Sequence, residues 1–112
     1  MILNNTQQNG FTVSVITDEE ASVRNSVQFR EELTALLDNG NKRILLSFEK
    51  VTYVDSSFLG SMVASLKYAI SKGADIYLVN LRKDIYDLLE LIRMNKVFKI
   101  FDTTEQAIEN LQ

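Results

Sequence analysis

The sequence predicts an α/β fold in which about four helices pack on a mixed, mainly parallel β-sheet. Short apolar runs alternate with longer segments whose apolar residues recur every three or four positions, the pattern of strands alternating with amphipathic helices. Such alternation implies right-handed crossovers between parallel strands. Two strand-like segments precede the first helical one, so an opening hairpin would make one edge strand antiparallel. The length of 112 residues suits a single domain, residues 1–112.

The N-terminal half is predicted to run strand, strand, helix, strand. Met1–Leu3 reads as a short first strand and Asn4–Gly10 as a polar turn. Phe11–Val15 alternates apolar and polar residues, as a half-buried strand near a sheet edge does. A helix is expected at about Ser22–Asp38, with Phe29, Leu33, Leu36 and Leu37 on one face. Arg43–Phe48 is almost continuously apolar, which indicates a strand buried on both faces.

The C-terminal half is predicted to run helix, strand, helix, strand, helix. The helix at about Ser57–Lys72 has a clear apolar stripe, formed by Leu59, Met62, Val63, Leu66, Ala69 and Ile70. Ile76–Val79 is a short buried strand, and a third helix is expected at about Lys83–Met94. Val97–Phe101 alternates like an edge strand. Thr103–Gln106 has the spacing of a capping box and opens a last helix.

Composition removes several classes of function. Histidine and cysteine are absent, so no Ser-His-Asp or Cys-His arrangement exists and the usual zinc ligands are missing. Neither phosphate-binding glycine loop motif occurs, so we predict neither a cofactor nor a metal. The net charge of −3 argues against nonspecific nucleic-acid binding. No apolar run has the length of a membrane span and no secretory signal is visible, so we expect a cytoplasmic protein.

The candidate site is Asp55-Ser56-Ser57, where a buried strand gives way to a helix. Aspartate and serine are preferred N-cap residues because their oxygens accept from the unpaired N–H groups of the first turn. The same N–H groups, together with the helix dipole, also favour an anion. The two hydroxyls therefore read either as helix caps or as a place where a phosphate is attached.

Val54–Gly60, with the sequence VDSSFLG, resembles the signature of the STAS domain, and more narrowly that of bacterial anti-sigma factor antagonists. The resemblance extends to chain length, to the strand–strand–helix opening, and to the later segments Val79–Leu81 and Val97–Phe101. It implies a noncatalytic switch that is phosphorylated on Ser56. We expect Ser57 either to cap the helix or to be a secondary acceptor. The implied partners are an anti-sigma factor that is itself a serine kinase, and a phosphatase that resets the switch. The unphosphorylated form would bind the anti-sigma factor, and phosphorylation would release it.

Other residues are expected to support this site. Asp55 would shape the turn, and one of the acidic residues Asp18 and Glu20 would flank the acceptor. Phe58 stands where the family usually has glycine. Because Phe58 and Ser61 lie on a second face of the helix, we expect them, with Met62, to contact the partner.

Two alternatives stay open. The first is a STAS scaffold without a phosphoswitch, which would hold a constitutive partner or a small ligand. The second is a receiver-like domain phosphorylated on Asp55, with a divalent cation held by Asp55 and the acidic cluster Asp18–Glu20. Two features weaken the second alternative: the chain opens with two strands, and the Lys-Pro pair of such domains is missing.

Overall fold

A computed structural model describes the whole chain, Met1–Gln112. The strands are β1 (Leu3–Gln8), β2 (Phe11–Ile16), β3 (Glu20–Ala21), β4 (Arg43–Ser47), β5 (Tyr53–Val54), β6 (Asp75–Val79) and β7 (Ile100–Phe101). The helices are α1 (Ser26–Asp38), α2 (Ser56–Ser71), α3 (Lys83–Leu91) and α4 (Thr104–Leu111), with a 3₁₀ turn at Met94–Lys96. No helix combines the length and apolar character needed to cross a membrane.

Five strands form the main sheet in the order β1-β2-β4-β6-β7. β1 pairs antiparallel with β2, whereas the other three pairings are parallel. The predicted α/β fold with a mixed, mainly parallel sheet is therefore confirmed. The antiparallel edge comes from the opening hairpin, as the order of the elements predicts.

The opening hairpin is longer than predicted. β1 continues to Gln8, so the segment predicted as a turn, Asn4–Gly10, is mostly strand, and only Asn9 and Gly10 form the turn. Both turn residues have positive φ, 52° and 83°, which Asn and Gly tolerate better than other residues. The polar side chains of β1 misled the prediction because an edge strand can leave most of them in solvent.

The helices cover the sheet unequally. A core of 22 buried residues lies on the face that carries α1, α2 and α3, and includes Phe29, Phe58 and Ile85. The opposite face has a smaller core of six buried residues, to which α4 contributes Ala107 and Ile108. The heavier packing on one face follows from the number of helices there.

Helix α2 is rotated relative to the predicted stripe. Its buried residues are Phe58, Ser61, Met62, Ser65, Leu66 and Ala69. Ile70, predicted to be buried, is 61% exposed, and Leu59 and Val63 are only partly buried. Neighbouring stripes of this helix are both rich in apolar or small residues, so periodicity alone does not choose between them.

Two short strands outside the main sheet were not predicted. β3 and β5 pair in parallel, with Glu20 opposite Tyr53 and Ala21 opposite Val54. They tie the loop that follows β2 to the loop that precedes α2. At the other end, α3 and β7 are shorter than predicted, because the chain between them turns through the 3₁₀ segment.

Candidate functional site at the start of helix α2

The Asp55-Ser56-Ser57 segment lies where β5 ends and α2 begins. Asp55 is the N-cap residue, with the extended backbone (φ −111°, ψ 175°) usual at that position. Its Oδ1 accepts from the backbone N–H of Phe58 at 3.0 Å. Asp55 therefore provides the cap, and the prediction that Ser57 caps the helix is wrong, because Ser57 already lies within the first helical turn.

The second carboxylate oxygen of Asp55 joins two loops. Oδ2 accepts from the backbone N–H of Val23 at 2.9 Å, and the Asp55 N–H donates to the carbonyl of Ala21 at 3.1 Å. The N–H of Phe58 contributes most to a lowered pKa of Asp55; those of Val23 and Ser57 add to it, while desolvation opposes them. Asp55 thus holds its charge while fastening the loop after β2 to the start of α2.

Ser56 and Ser57 are exposed and occupy the first turn of α2. Neither hydroxyl is used in a hydrogen bond, since capping is done by Asp55. The first turn of a helix leaves backbone N–H groups without intrahelical partners, and the dipole adds positive potential there. The arrangement can accept an added anion on either hydroxyl.

The acidic residues of the loop after β2 form ion pairs with Arg24, a contact that we did not predict. The Arg24 guanidinium lies 3.5 Å from Asp18 Oδ2 and 3.4 Å from Glu20 Oε2. Asp18 Oδ1 also accepts from the N–H of Glu20 at 3.0 Å. The pairing of β3 with β5 brings this loop beside the site, and both carboxylates pair with the single charge of Arg24. The signal in the sequence was an isolated basic residue within an acidic stretch.

The three residues expected to contact a partner are buried. Phe58 is fully buried, and its ring centroid lies 4.5 Å from that of Phe29. Met62 is 1% exposed and Ser61 is 8% exposed. The prediction that these side chains form a contact surface is therefore wrong, because α2 turns this face toward the core. The Phe58 ring, where the family usually has glycine, fills the space between α1 and α2 and leaves Ser56 exposed.

Large apolar side chains are exposed on the two segments that meet at the site and one helical turn further along the chain. Val23, Val27 and Tyr53 are 66%, 67% and 55% exposed. Val23 is the residue whose N–H bonds Asp55, and Tyr53 lies two residues before Asp55. We call these three residues the apolar rim. Val23 and Val27 are four residues apart and off the predicted stripe of α1, a signal that we did not use.

No cation site forms here. Both carboxylate oxygens of Asp55 accept backbone N–H groups, while Asp18 and Glu20 pair with Arg24. No group of three or more acidic side chains comes together in a way that could hold a metal ion. The receiver-like alternative therefore has no support from this geometry.

A polar network joins the C-terminal ends of β4 and β6. The chain that leads to Asp55 begins at the end of β4. Asn80 follows β6 with a positive φ of 60°, and its Nδ2 donates to Ser47 Oγ and Thr104 Oγ1, both at 3.0 Å. Ser47 ends β4, and Thr104 begins α4. The network joins the ends of two strands to the start of a helix on the other face.

A separate cavity of about 300 Å³ lies between α3 and β7. It is lined by Leu81, Lys83, Tyr86, Ile100, Phe101 and Asp102. None of these residues belongs to the site predicted from the sequence.

Comparison with known proteins gives consistent matches. The family model of the STAS domain matches residues 4–107. A Thermotoga neapolitana protein named as a candidate anti-sigma factor antagonist is 29% identical over 101 residues, 89% of each chain. The anti-sigma-B factor antagonist of Staphylococcus aureus is 27% identical over 86 residues, 77% of this chain and 80% of that one.

The fold is also that of a solved structure, the Bacillus cell fate determinant SpoIIAA in its phosphorylated form. The TM-score is 0.73 at 17% identity, and the match covers 98% of this chain and 99% of that chain. At this identity the likeness establishes the fold.

Proposed function

Because the chain belongs to the STAS family, we propose that it acts as an anti-sigma factor antagonist whose partner binding is switched by phosphate on Ser56. In this proposal the partner is an anti-sigma factor with serine kinase activity, which supplies ATP, and a phosphatase removes the phosphate. The chain itself has no catalytic role. The observation that carries the proposal is the exposed, unbonded hydroxyl of Ser56 in the first turn of α2.

The start of α2 accommodates a phosphate without disturbing the fold. A phosphate adds about −1.5 to −2 charges and three acceptor oxygens. The helix dipole and those first-turn N–H groups that Asp55 does not bond favour such a charge. Asp55 opposes it, but both carboxylate oxygens of Asp55 accept from backbone N–H groups and neither bonds the Ser56 hydroxyl.

The apolar rim offers the partner contact that the buried residues of α2 do not. Val23 donates its N–H to Asp55, the residue before Ser56, and Tyr53 lies two residues before Asp55. Both Val23 and Tyr53 are more than half exposed. A partner that covers the rim would also cover Ser56 and remove it from water. A phosphate there would have to be desolvated or matched, and a penalty of about 4 kcal/mol would weaken binding about a thousandfold.

The experiment maps the modification. The protein is incubated with ATP and an extract of the cells that encode it, and the phosphorylated residue is identified by mass spectrometry after acid treatment. We expect an acid-stable phosphate on Ser56 and none in Ser56→Ala. A labile phosphate on Asp55 would instead support the receiver-like alternative.

The switch also requires a change in binding. Ser56→Ala should capture the partner from extract, and Ser56→Glu should capture less of it. Equal capture by both variants, with no modification of Ser56, would favour a STAS scaffold without a phosphoswitch.

A further inference from the structure

Arg24 follows Val23, the residue whose N–H donates to Asp55 beside the acceptor serine. Its ion pairs with Asp18 and Glu20 are 3.5 and 3.4 Å long, and its side chain is 66% exposed. Exposed pairs of this kind contribute little to stability and are readily exchanged. The guanidinium can therefore leave the two carboxylates at small cost.

The two loops bring Arg24 and Ser56 to either side of one hydrogen bond. The N–H of Val23 donates to Asp55 Oδ2 at 2.9 Å, and Arg24 and Ser56 are the residues that follow those two. The pairing of Ala21 with Val54 keeps the loops in this register. The arginine side chain is long and flexible, so it needs only a change of rotamer to turn toward the start of α2.

The charge balance around the site calls for a cation once a phosphate is present. Residues 17–29 and 51–60 contain four carboxylates and one basic residue, Arg24, and are bordered by Arg30 and Lys50. Arginine matches phosphate better than it matches separate carboxylates, because its planar fork bonds two phosphate oxygens at once.

We propose that the Arg24 guanidinium binds the phosphate on Ser56. In the unphosphorylated protein Arg24 is held in reserve by its ion pairs with Asp18 and Glu20. This inference rests on the proposed function, since it concerns the same phosphate. The exchange leaves Asp18 and Glu20 without their cation. The loop that carries Val23 thereby becomes more acidic, which adds to the effect of the phosphate on partner binding.

The test installs phosphoserine at position 56 during translation, so that no kinase is needed. The phosphate is titrated by ³¹P NMR in the otherwise unchanged protein, in Arg24→Gln and in Arg30→Gln. Arg30 is an exposed residue of α1 in no ion pair, which makes it the matched control. We expect Arg24→Gln to raise the second pKa of the phosphate by roughly half a unit and Arg30→Gln to leave it unchanged. Equal values in all three proteins would overturn the assignment of Arg24.

The reserve role is tested with Glu20→Gln, made with and without Arg24→Gln. Loss of a negative charge lowers the phosphate pKa in both backgrounds, but release of Arg24 adds to the shift only where Arg24 is present. Equal shifts in the two backgrounds would overturn the reserve role. The outcome is separate from the proposed function, because absence of phosphate on Ser56 in cells would sink the switch and leave this titration unaffected.

Discussion

Replacing Phe58 with alanine tests whether this residue belongs to the core or to a contact surface. Its side chain is fully buried and its ring centroid lies 4.5 Å from that of Phe29, within a core of 22 residues. Truncating a buried phenylalanine costs about 3–5 kcal/mol, the sum of lost transfer free energy and the cavity left behind. The contact with Phe29 accounts for about 0.5–1.5 kcal/mol of that loss.

The assay is urea unfolding followed by circular dichroism, with the free energy of unfolding extrapolated to water. Ile70→Ala is the matched control, since Ile70 lies on the same helix and is 61% exposed. We expect the control to cost about 0.5 kcal/mol or less. A loss of less than about 1 kcal/mol for Phe58→Ala would refute the reasoning and return Phe58 to the surface.

Three further predictions follow from the site and its surroundings. Asp55→Asn should be less stable than the wild type at pH 6. The lowered pKa of Asp55 contributes stability that is complete above the unfolded value of about 3.9 and is lost as the pH falls through the folded value, so unfolding curves at pH 6 and pH 3 should show the difference shrinking. Asn80→Ala should cost about 1–3 kcal/mol in urea unfolding, because it strips hydrogen bonds from two buried hydroxyls; a change below about 0.5 kcal/mol would contradict the network. Tyr53→Ala should weaken partner capture in a pull-down while leaving the unfolding midpoint nearly unchanged, and undiminished capture would remove Tyr53 from the contact surface.

The sequence predicted the layout of the fold because the strongest patterns come from buried segments. Arg43–Phe48 is buried on both faces, so nearly every position requires an apolar residue. The last helix is buried along one stripe, so its apolar residues recur at helical spacing. β1 was missed because an edge strand needs few apolar residues. β3 and β5 were missed because a pairing of two residues between distant loops leaves no periodic signal in either segment.

The candidate site was predicted in part for similar reasons. Local chemistry placed Asp55, Ser56 and Ser57 at the start of a helix, but it did not decide which of them would cap it. The orientation of Phe58 depends on how α2 rotates against α1, a long-range property that the stripe pattern left undetermined. Arg24 and the apolar rim reach the site only through the register of β3 with β5, which the sequence does not show.

The switch is tested most directly by comparing the dissociation constants of the partner for the unphosphorylated and the phosphorylated protein. The partner captured by Ser56→Ala is purified, and its affinity is measured by calorimetry for the unmodified protein and for the protein carrying phosphoserine at position 56. We predict that the phosphate weakens binding by about a hundredfold to a thousandfold, a loss of about 3–4 kcal/mol. Equal affinities for the two forms would contradict the account.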